Sequence, residues 1–362
     1  MQKTRTLLAA VAFTVGLAIS VWTVPGQVES TAAAAGADSS GSAAADHGSD
    51  HGTDTGSADT GSADSGSADS GPIDWKAMDE HMAKRNKSFP AKTEGVGNQE
   101  LKPKVLADGT KQFDLTAKVV KWEVEPGKTV EAWTYNGAVP GPVIRVGVGD
   151  KVRLVLKNEL PESTSIHWHG LIVPNDMDGV ADVTQDPVKP GGTFTYEFTT
   201  VEPMVGWYHS HHDGTKQVAK GLWGTILIGN VALPDGVKVS QERVMSLQDS
   251  GDIGLTINGK SFPATEPIRA KVGDWVMVHY VNAGNMIHPM HLHGMPQLVI
   301  AKDGYPTPEP YKVDTVTVAP GERYTVLIHP TVAGAWAWHC HIFTHSEGDQ
   351  GMFGLFDEFL VS

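Results

Sequence analysis

The chain contains the same unit twice, and this internal repeat limits the folds that it can adopt. The segment NGAVPGPVIRVGVGDKVRLVLKN at 136–158 corresponds to NGKSFPATEPIRAKVGDWVMVHYVN at 258–282, and HWHG at 167–170 corresponds to HLHG at 291–294. Both copies contain short alternating segments rich in Val, Ile, Thr and Tyr, punctuated by Gly and Pro, which is typical of a β-sandwich. We therefore predict an all-β protein with two copies of one β-domain, divided near residue 232.

The N-terminal part of the chain does not share this pattern. Lys3 and Arg5 precede an apolar run at 7–22, and small residues follow, which is the order of a secretory signal peptide that we assign to 1–30. The alternative for the apolar run is a retained membrane anchor. Residues 31–72 are a Gly/Ser/Ala/Asp linker with a GSAD-type repeat, and the lack of large apolar side chains predicts disorder there.

The remaining residues divide into three parts. Residues 73–99 form an N-terminal extension with a short amphipathic stretch that predicts a helix, and the two β-domains occupy 100–232 and 233–362. The formal net charge is −14, but segment 29–71 holds eight of the acidic residues and neither Lys nor Arg. The folded part is therefore mildly acidic, without a basic patch, and a nucleic-acid partner is not expected.

Four His-x-His pairs occupy matching positions of the two repeats. In a strand, residues i and i+2 project from the same face, so each pair presents two imidazoles side by side. One such pair is more often polar surface, but eight imidazoles in matching positions indicate a metal site, and imidazole-rich sites suit copper, zinc and iron. The pairs are His167 and His169, His209 and His211, His291 and His293, and His339 and His341.

The only cysteine, Cys340, lies between His339 and His341, so on a strand its sulfur points away from both rings. A thiolate added to imidazoles indicates copper. His288 and His345 can supply two imidazoles on the sulfur's face, and with a weak axial thioether they complete a trigonal blue-copper arrangement. The alternatives are an inert buried thiol and a Cys–His nucleophile, which needs a base on the sulfur's own face.

The first repeat lacks this thiolate site. Thr164, Ser210 and Thr215 stand where the second repeat has its two histidines and its cysteine. The first repeat therefore contributes imidazoles to a histidine cluster and is predicted to hold no blue copper of its own.

The motifs HxHG, HxH, HxxHxH and HCHxxxH occur in this order across 136–354, and this order resembles the multicopper oxidases. With two repeats, the chain is most similar to two-domain laccase-like oxidases that carry type 1 copper in the second domain. The resemblance implies two tandem cupredoxin-like Greek-key β-sandwich domains. It also implies about four copper ions per subunit, one of type 1, one of type 2 and two of type 3.

The resemblance assigns each metal-binding residue a role. It implies type 1 ligands at His288, Cys340 and His345, with an axial methionine that we identify as Met352; Gln350, ten residues after the cysteine, is the alternative. The type 2 ligands are implied at His167 and His291, and the type 3 ligands at His169, His209, His211, His293, His339 and His341.

Two carboxylates are candidates for proton supply. Asp178 matches the position of the family's proton-relay aspartate, and the alternative is a turn aspartate before Gly179. Glu347 is the second candidate, although Ser346 separates it from the last histidine of the motif. Together with Cys340 and His345, these two residues are the predicted catalytic groups.

The activity implied by the resemblance is oxidation of phenolic or metal-ion donors by one electron at a time, coupled to four-electron reduction of O2 to water. The implied assembly is a homotrimer in which the first domain of one subunit meets the second domain of the next; a cluster formed within one chain is the alternative. The implied location is the periplasm, the cell surface or the medium, free of the membrane after signal cleavage. One alternative is a copper nitrite reductase, although those enzymes carry the blue site in the first domain. The other is a non-catalytic copper-binding or electron-transfer protein, which needs only the thiolate site.

Overall fold

The structure is a computed structural model, and it describes residues 74–362. The predicted signal peptide and linker lie outside these residues. Helix α1 spans Trp75–Lys87, helix α2 spans Gly214–Gln217, and two 3-10 helices span Asn175–Met177 and Phe343–His345. The strands of the first repeat are β1 (Glu100–Leu101), β2 (Lys104–Val105), β3 (Lys111–Glu125), β4 (Lys128–Tyr135), β5 (Val143–Val146), β6 (Lys151–Asn158), β7 (His167–His169), β8 (Thr193–Thr199), β9 (Met204–His209) and β10 (Trp223–Ile228).

The strands of the second repeat follow the same pattern of short segments. They are β11 (Gln241–Ser250), β12 (Gly254–Ile257), β13 (Ile268–Ala270), β14 (Val276–Asn282), β15 (His288–Leu292), β16 (Gln297–Lys302), β17 (Tyr305–Val313), β18 (Thr315–Val318), β19 (Arg323–Ile328), β20 (Gly334–Cys340), β21 (Glu347–Gly348), β22 (Gly351–Met352) and β23 (Phe356–Val361).

The first repeat is a sandwich of two sheets. One sheet has the strand order β1-β5-β10-β9-β7, and the other has the order β2-β3-β6-β8 with β4 paired to β3. Strand β6 alternates buried and accessible side chains, with Val152, Leu154 and Leu156 turned into the core. Strand β10 is buried along its whole length because it lies between β5 and β9 and is covered on both faces.

The second repeat has the same architecture. One sheet has the order β12-β11-β14-β19-β16-β17 and the other the order β13-β23-β20-β15-β18, while β21 and β22 form a separate hairpin. Strand β14 lies between β11 and β19 and is buried throughout. The two sheets enclose a core that includes Val278, Tyr280, Leu292 and Trp338. The prediction of an all-β protein is confirmed.

The two repeats share an apolar interface. Trp122, Trp223 and Val139 of the first repeat pack in one cluster with Ile253 and Val281 of the second repeat. The Trp122 indole N–H donates to the carbonyl of Gly259 at 2.7 Å, which pairs its polar edge within the interface. This contact fixes the two sandwiches against each other.

The N-terminal extension contacts both repeats, since Arg85 bonds Glu125 of the first repeat and Phe89 packs on the second. Helix α1 begins after Asp74, whose carboxylate accepts a hydrogen bond from the Ala77 amide at 3.1 Å. Beyond its end, the ring of Phe89 stacks on Phe262 with centroids 5.2 Å apart. Across residues 74–362, the structure has no helix that is long and apolar enough to cross a membrane.

Candidate metal centres

Antiparallel strand pairs bring the histidine motifs together in each repeat. In the first repeat, β7 pairs with β9 so that His167 lies opposite His209. In the second repeat, β15 pairs with β20 so that His291 lies opposite His339. Directly opposed residues on one face of a sheet are neighbours, so the same register builds a histidine cluster in each sandwich.

The first-repeat cluster consists of His167, His169, His209 and His211. The ring of His167 lies 5.8 Å from that of His169, and 5.3 Å from those of His209 and His211, measured between centroids. Ring nitrogens of His167, His169 and His209 all lie within 4.8 Å of one another, which is close enough to bind one metal ion together. The structure therefore brings these four predicted residues into one site.

The second-repeat cluster consists of His291, His293, His339 and His341. Its centroid distances are 4.8 Å between His291 and His293, 5.6 Å between His291 and His341, and 5.3 Å between His293 and His339. The Nε2 atoms of His293 and His339 are 3.1 Å apart. Two imidazole nitrogens at this separation face each other within the cluster.

The thiolate site lies on the other side of β20. The Sγ atom of Cys340 is 3.8 Å from Nδ1 of His288 and 3.6 Å from Nδ1 of His345. Cys340 and His288 are fully buried, and His345 is 5% exposed. His339 and His341, the sequence neighbours of the cysteine, instead belong to the histidine cluster. One strand thus serves two sites, since successive side chains of a strand point to opposite faces.

Asp249 orients the His288 ring, and sequence reasoning missed it. Its Oδ2 atom accepts a hydrogen bond from Nε2 of His288 at 2.9 Å, which leaves Nδ1 facing the sulfur. The backbone amides of Asn285 and Met286 donate to the same carboxylate at 2.9 and 2.8 Å. Burial raises the pKa of Asp249, but these three hydrogen bonds bring it below its ordinary value. A carboxylate behind a ligand histidine fixes the ring and its tautomer.

The cluster histidines are also held by their Nδ1 atoms. Nδ1 of His167 lies 2.9 Å from the Asp178 carbonyl, and Nδ1 of His291 lies 3.1 Å from the Asp314 carbonyl. Nδ1 of His209 is bonded to the carbonyl of the next residue at 2.9 Å, and its Nε2 is buried without a hydrogen-bond partner. An orphaned imidazole nitrogen inside a cluster of imidazoles fits a metal ligand.

The protonation states of these residues favour metal binding. Burial, with Arg323 nearby, lowers the pKa of His169 to about 4, and burial lowers the pKa of His209 to about 3. Both rings are therefore neutral near pH 7, which is the form that binds a metal. Burial raises the pKa of the Cys340 thiol to about 11, so a bound metal must displace its proton.

The first repeat fills the position of the thiolate site with hydroxyl groups. The hydroxyls of Thr164 and Ser210 lie 3.3 Å apart, and both donate to Oε1 of Gln217, at 2.8 and 2.7 Å. The third side chain is therefore Gln217 of α2, whereas Thr215, which matches His345 in the sequence, is exposed. Nδ1 of His212 lies 3.5 Å from Nε2 of Gln217, but the three side chains at the position of the thiolate site supply neither a thiolate nor an imidazole. This agrees with a first repeat that holds no blue copper.

The two candidate axial residues differ in exposure. Met352 is half-buried in β22 and pairs with Glu347 of β21, whereas Gln350 is exposed at the turn between these strands.

The two carboxylates predicted to supply protons lie in different surroundings. The Glu347 side chain is exposed, and within residues 74–362 no hydrogen bond joins it to a histidine. Asp178, by contrast, lies next to the first cluster, with Oδ1 3.4 Å from Nδ1 of His167.

The two histidine clusters remain separate within one chain. Every ring contact among the eight histidines joins residues of the same repeat. His211 in the first cluster and His293 and His341 in the second are exposed. Each cluster is therefore a group of four imidazoles that is open on one side.

Comparisons with known proteins agree with this donor set. Residues 116–232 match a family model described as multicopper oxidase, and residues 235–359 match a second model of that description. The blue copper oxidase of Nitrosomonas europaea is 33% identical with a TM-score of 0.66, over 69% of this chain and 85% of that one. The chain therefore belongs to the multicopper oxidase family. This confirms the resemblance, and it confirms copper as the cofactor, since two imidazoles and a thiolate suit that metal.

Other relatives are longer than this chain or belong to another class of copper enzyme. The multicopper oxidase MmcO of Mycobacterium tuberculosis is 30% identical over 254 residues, which are 58% of this chain and 49% of that protein. The chain thus spans about half or less of the length of such curated relatives. A copper nitrite reductase from Nitrosomonas europaea is also similar, at 26% identity and a TM-score of 0.61, over 70% of this chain and 94% of that one.

Proposed function

We propose that this protein oxidises small donors by one electron at a time and reduces O2 to water by four electrons. The observation that carries the proposal is the covalent continuity between the buried His288–Cys340–His345 site and the histidine cluster on the opposite face of β20. Bound copper would supply the one-electron redox chemistry at both sites. A protein that only carried electrons would need the thiolate site alone, so the eight further histidines support an oxygen-reducing enzyme.

The proposed copper ligands follow from this division. His288, Cys340 and His345 would hold the type 1 ion, with Met352 as the axial ligand because its side chain is half-buried and that of Gln350 is exposed. The type 2 ion would be held by His167 and His291, and the type 3 pair by His169, His209, His211, His293, His339 and His341.

The residues of β20 connect the two sites. The backbone carbonyl of Cys340 accepts hydrogen bonds from Nδ1 of His339 at 3.1 Å and from Oγ of Ser346 at 2.9 Å. These bonds fix the peptide that joins the thiolate to the cluster. His345 follows at the end of a 3-10 helix next to exposed Phe343, so donors would deliver electrons on this side.

Asp178 would supply protons at the cluster. Reduction of O2 to water consumes protons, and a partly exposed carboxylate beside His167 can take them from solvent and pass them on. The Asp178 carbonyl also positions the His167 ring. Glu347 lies on the hairpin of the thiolate site and not beside a cluster histidine, so Asp178 is the proposed proton donor.

A complete cluster would form between subunits of a homotrimer. The two four-histidine groups do not contact each other within one chain, and each leaves exposed rings. If the first repeat of one subunit faced the second repeat of the next, eight imidazoles would enclose one cluster per interface. Three such head-to-tail contacts would close a ring.

We also propose export with removal of the apolar leader at 1–30. The charged start, apolar run and small residues support this proposal. The natural donor, whether phenolic or a metal ion, would reach the protein outside the cytoplasm.

Copper analysis and gas-exchange assays test the function. We expect about four copper ions per subunit, intense blue absorption from the thiolate, and O2 uptake with a phenol or a ferrous salt. Cys340→Ser should abolish O2 uptake. The second candidate, a copper nitrite reductase, is favoured by the structural likeness to such an enzyme; nitrite reduction without O2 uptake would establish it in place of the oxidase.

A further inference from the structure

The N-terminal helix lies directly on the hairpin that carries Met352. Gly351, the first residue of β22, has φ +93°, and a Cβ atom at this position would lie 3.0 Å from Cγ of Met82 in α1. The helix therefore contacts the backbone of the hairpin closely. The short β21–β22 hairpin has two residues in each strand, and a hairpin of this size is not stable without further packing.

Arg85 of α1 joins this hairpin to the rest of the protein. Its Nε donates to the carbonyl of Met352 at 2.7 Å, and its Nη2 donates to the carbonyl of Phe262 at 2.7 Å and to Oε2 of Glu125 at 2.8 Å. Arg85 and Glu125 are 23% and 19% exposed, so water screens these bonds only in part. A guanidinium can span several acceptors because its donors form a rigid planar fork.

The contact with Phe262 supports the segment that follows the β21–β22 hairpin. The amide of Phe262 donates to the carbonyl of Gly354 at 3.2 Å, and the amide of Gly354 donates to Oγ of Ser261 at 2.9 Å. Arg85 therefore holds Met352 directly and, through Phe262, is connected to Gly354, two residues further along the loop. Glu125 of the first repeat anchors the guanidinium in turn.

We propose that Arg85 is a positioning residue that fixes the axial side of the thiolate copper site by holding the Met352 backbone. This inference rests on the proposed function, in which Met352 is the axial ligand. The axial ligand of a His2Cys site tunes its reduction potential. Loss of the Arg85 bonds loosens the hairpin and weakens the axial thioether, which raises the potential because less electron density reaches the oxidised ion.

The test compares Arg85→Ala with Lys84→Ala in the copper-loaded protein. Lys84 is the preceding residue of the same helix, is exposed and has the same charge, so its substitution removes a cation and leaves the hairpin contacts intact. At a fixed solution potential, Arg85→Ala should lower the ratio of oxidised to reduced thiolate site by about tenfold, or about 59 mV for a one-electron couple. Lys84→Ala should leave that ratio unchanged.

Hydrogen exchange of the metal-free protein gives a second readout. The amide of Phe353 is bonded to the carbonyl of Ser346 at 3.0 Å across the base of the hairpin. Arg85→Ala should accelerate its exchange, and Lys84→Ala should not. If Arg85→Ala does not fold, Arg85→Lys replaces it, because a lysine keeps the charge but cannot span the carbonyls of Met352 and Phe262.

The outcomes separate this inference from the proposed function. An unchanged potential in the Arg85 variant, with the blue band and copper content intact, overturns the positioning role and leaves the function standing. Equal shifts in the Arg85 and Lys84 variants also overturn it, because they indicate a general effect of charge. Absence of the blue band from the unmodified protein is instead a failure of the proposed function.

Discussion

Replacing Asp249 by alanine should weaken copper binding at the thiolate site. The substitution removes the acceptor of the His288 Nε2 proton at 2.9 Å, in surroundings where the Asp249 side chain is 2% exposed and the His288 side chain is fully buried. Loss of such a partner behind a ligand histidine typically costs about 10- to 100-fold in metal affinity. That range corresponds to about 1.4–2.8 kcal/mol at 25 °C.

The same substitution should destabilise the metal-free protein. A hydrogen bond to a charged group contributes about 1.5–3 kcal/mol, and the buried His288 donor is left without a partner. The amides of Asn285 and Met286 also lose their acceptor, but both residues are exposed and water can replace it. We therefore expect a loss of about 3 kcal/mol in the free energy of unfolding, most of it from His288.

Asp249→Asn is the matched control. The carbonyl oxygen of the asparagine can replace Oδ2 and accept the hydrogen bonds from His288 and Met286. Its NH2 group would replace Oδ1, so the hydrogen bond from the Asn285 amide is lost. The bond that orients the His288 ring is kept, while the charge and the bond from Asn285 are removed, so this variant should retain most of the copper affinity. Affinity is measured by titrating a competing chelator against the blue absorption, and stability by denaturant unfolding of the metal-free protein. A copper affinity of Asp249→Ala equal to that of the unmodified protein would refute the role of Asp249 in orienting His288.

Three further predictions concern single substitutions. Cys340→Ser should remove the blue absorption and about one copper ion per subunit in metal analysis, and retention of the blue band would assign it elsewhere. Met352→Leu should raise the potential of the thiolate site in a redox titration without changing the copper content, whereas the same effect from Gln350→Leu would make that residue axial. Burial raises the pKa of Glu242, but His279 and Arg145 lower it to about 2, so its contribution to stability is present above about pH 4.5 and is lost towards pH 2. Between about pH 5 and about pH 3, the metal-free Glu242→Gln variant should therefore lose less free energy of unfolding than the unmodified protein, as measured by denaturant unfolding. Identical losses would contradict a stabilising role of the Glu242 carboxylate.

Much of the fold could be predicted because its signals are local. Alternation along strands such as β6 follows from the two-residue period of a sheet, and the internal repeat showed that one sandwich occurs twice. The opposite orientation of Cys340 and its neighbours follows from the same period. These inferences need no knowledge of which strands pair.

The supporting residues could not be predicted because they depend on tertiary contacts. Asp249 lies in β11, 39 residues before His288, and no motif connects the two. Gln217 takes the third position of the hydroxyl network because helix α2 follows Ser210, so the aligned residue, Thr215, points elsewhere. Arg85 reaches Met352 across 267 positions of the chain. A periodic pattern carries no information about which of several acidic or basic residues contacts a given loop.

The ratio of donor oxidised to O2 consumed tests the central claim most directly. A one-electron phenolic or ferrous donor is supplied to the copper-loaded protein, while an oxygen electrode follows O2 and a peroxide assay follows the product. We expect four donor molecules to be oxidised for each O2 consumed, without hydrogen peroxide, because the two sites joined by Cys340 would deliver all four electrons to one O2 molecule. A ratio of two with hydrogen peroxide as the product would contradict it.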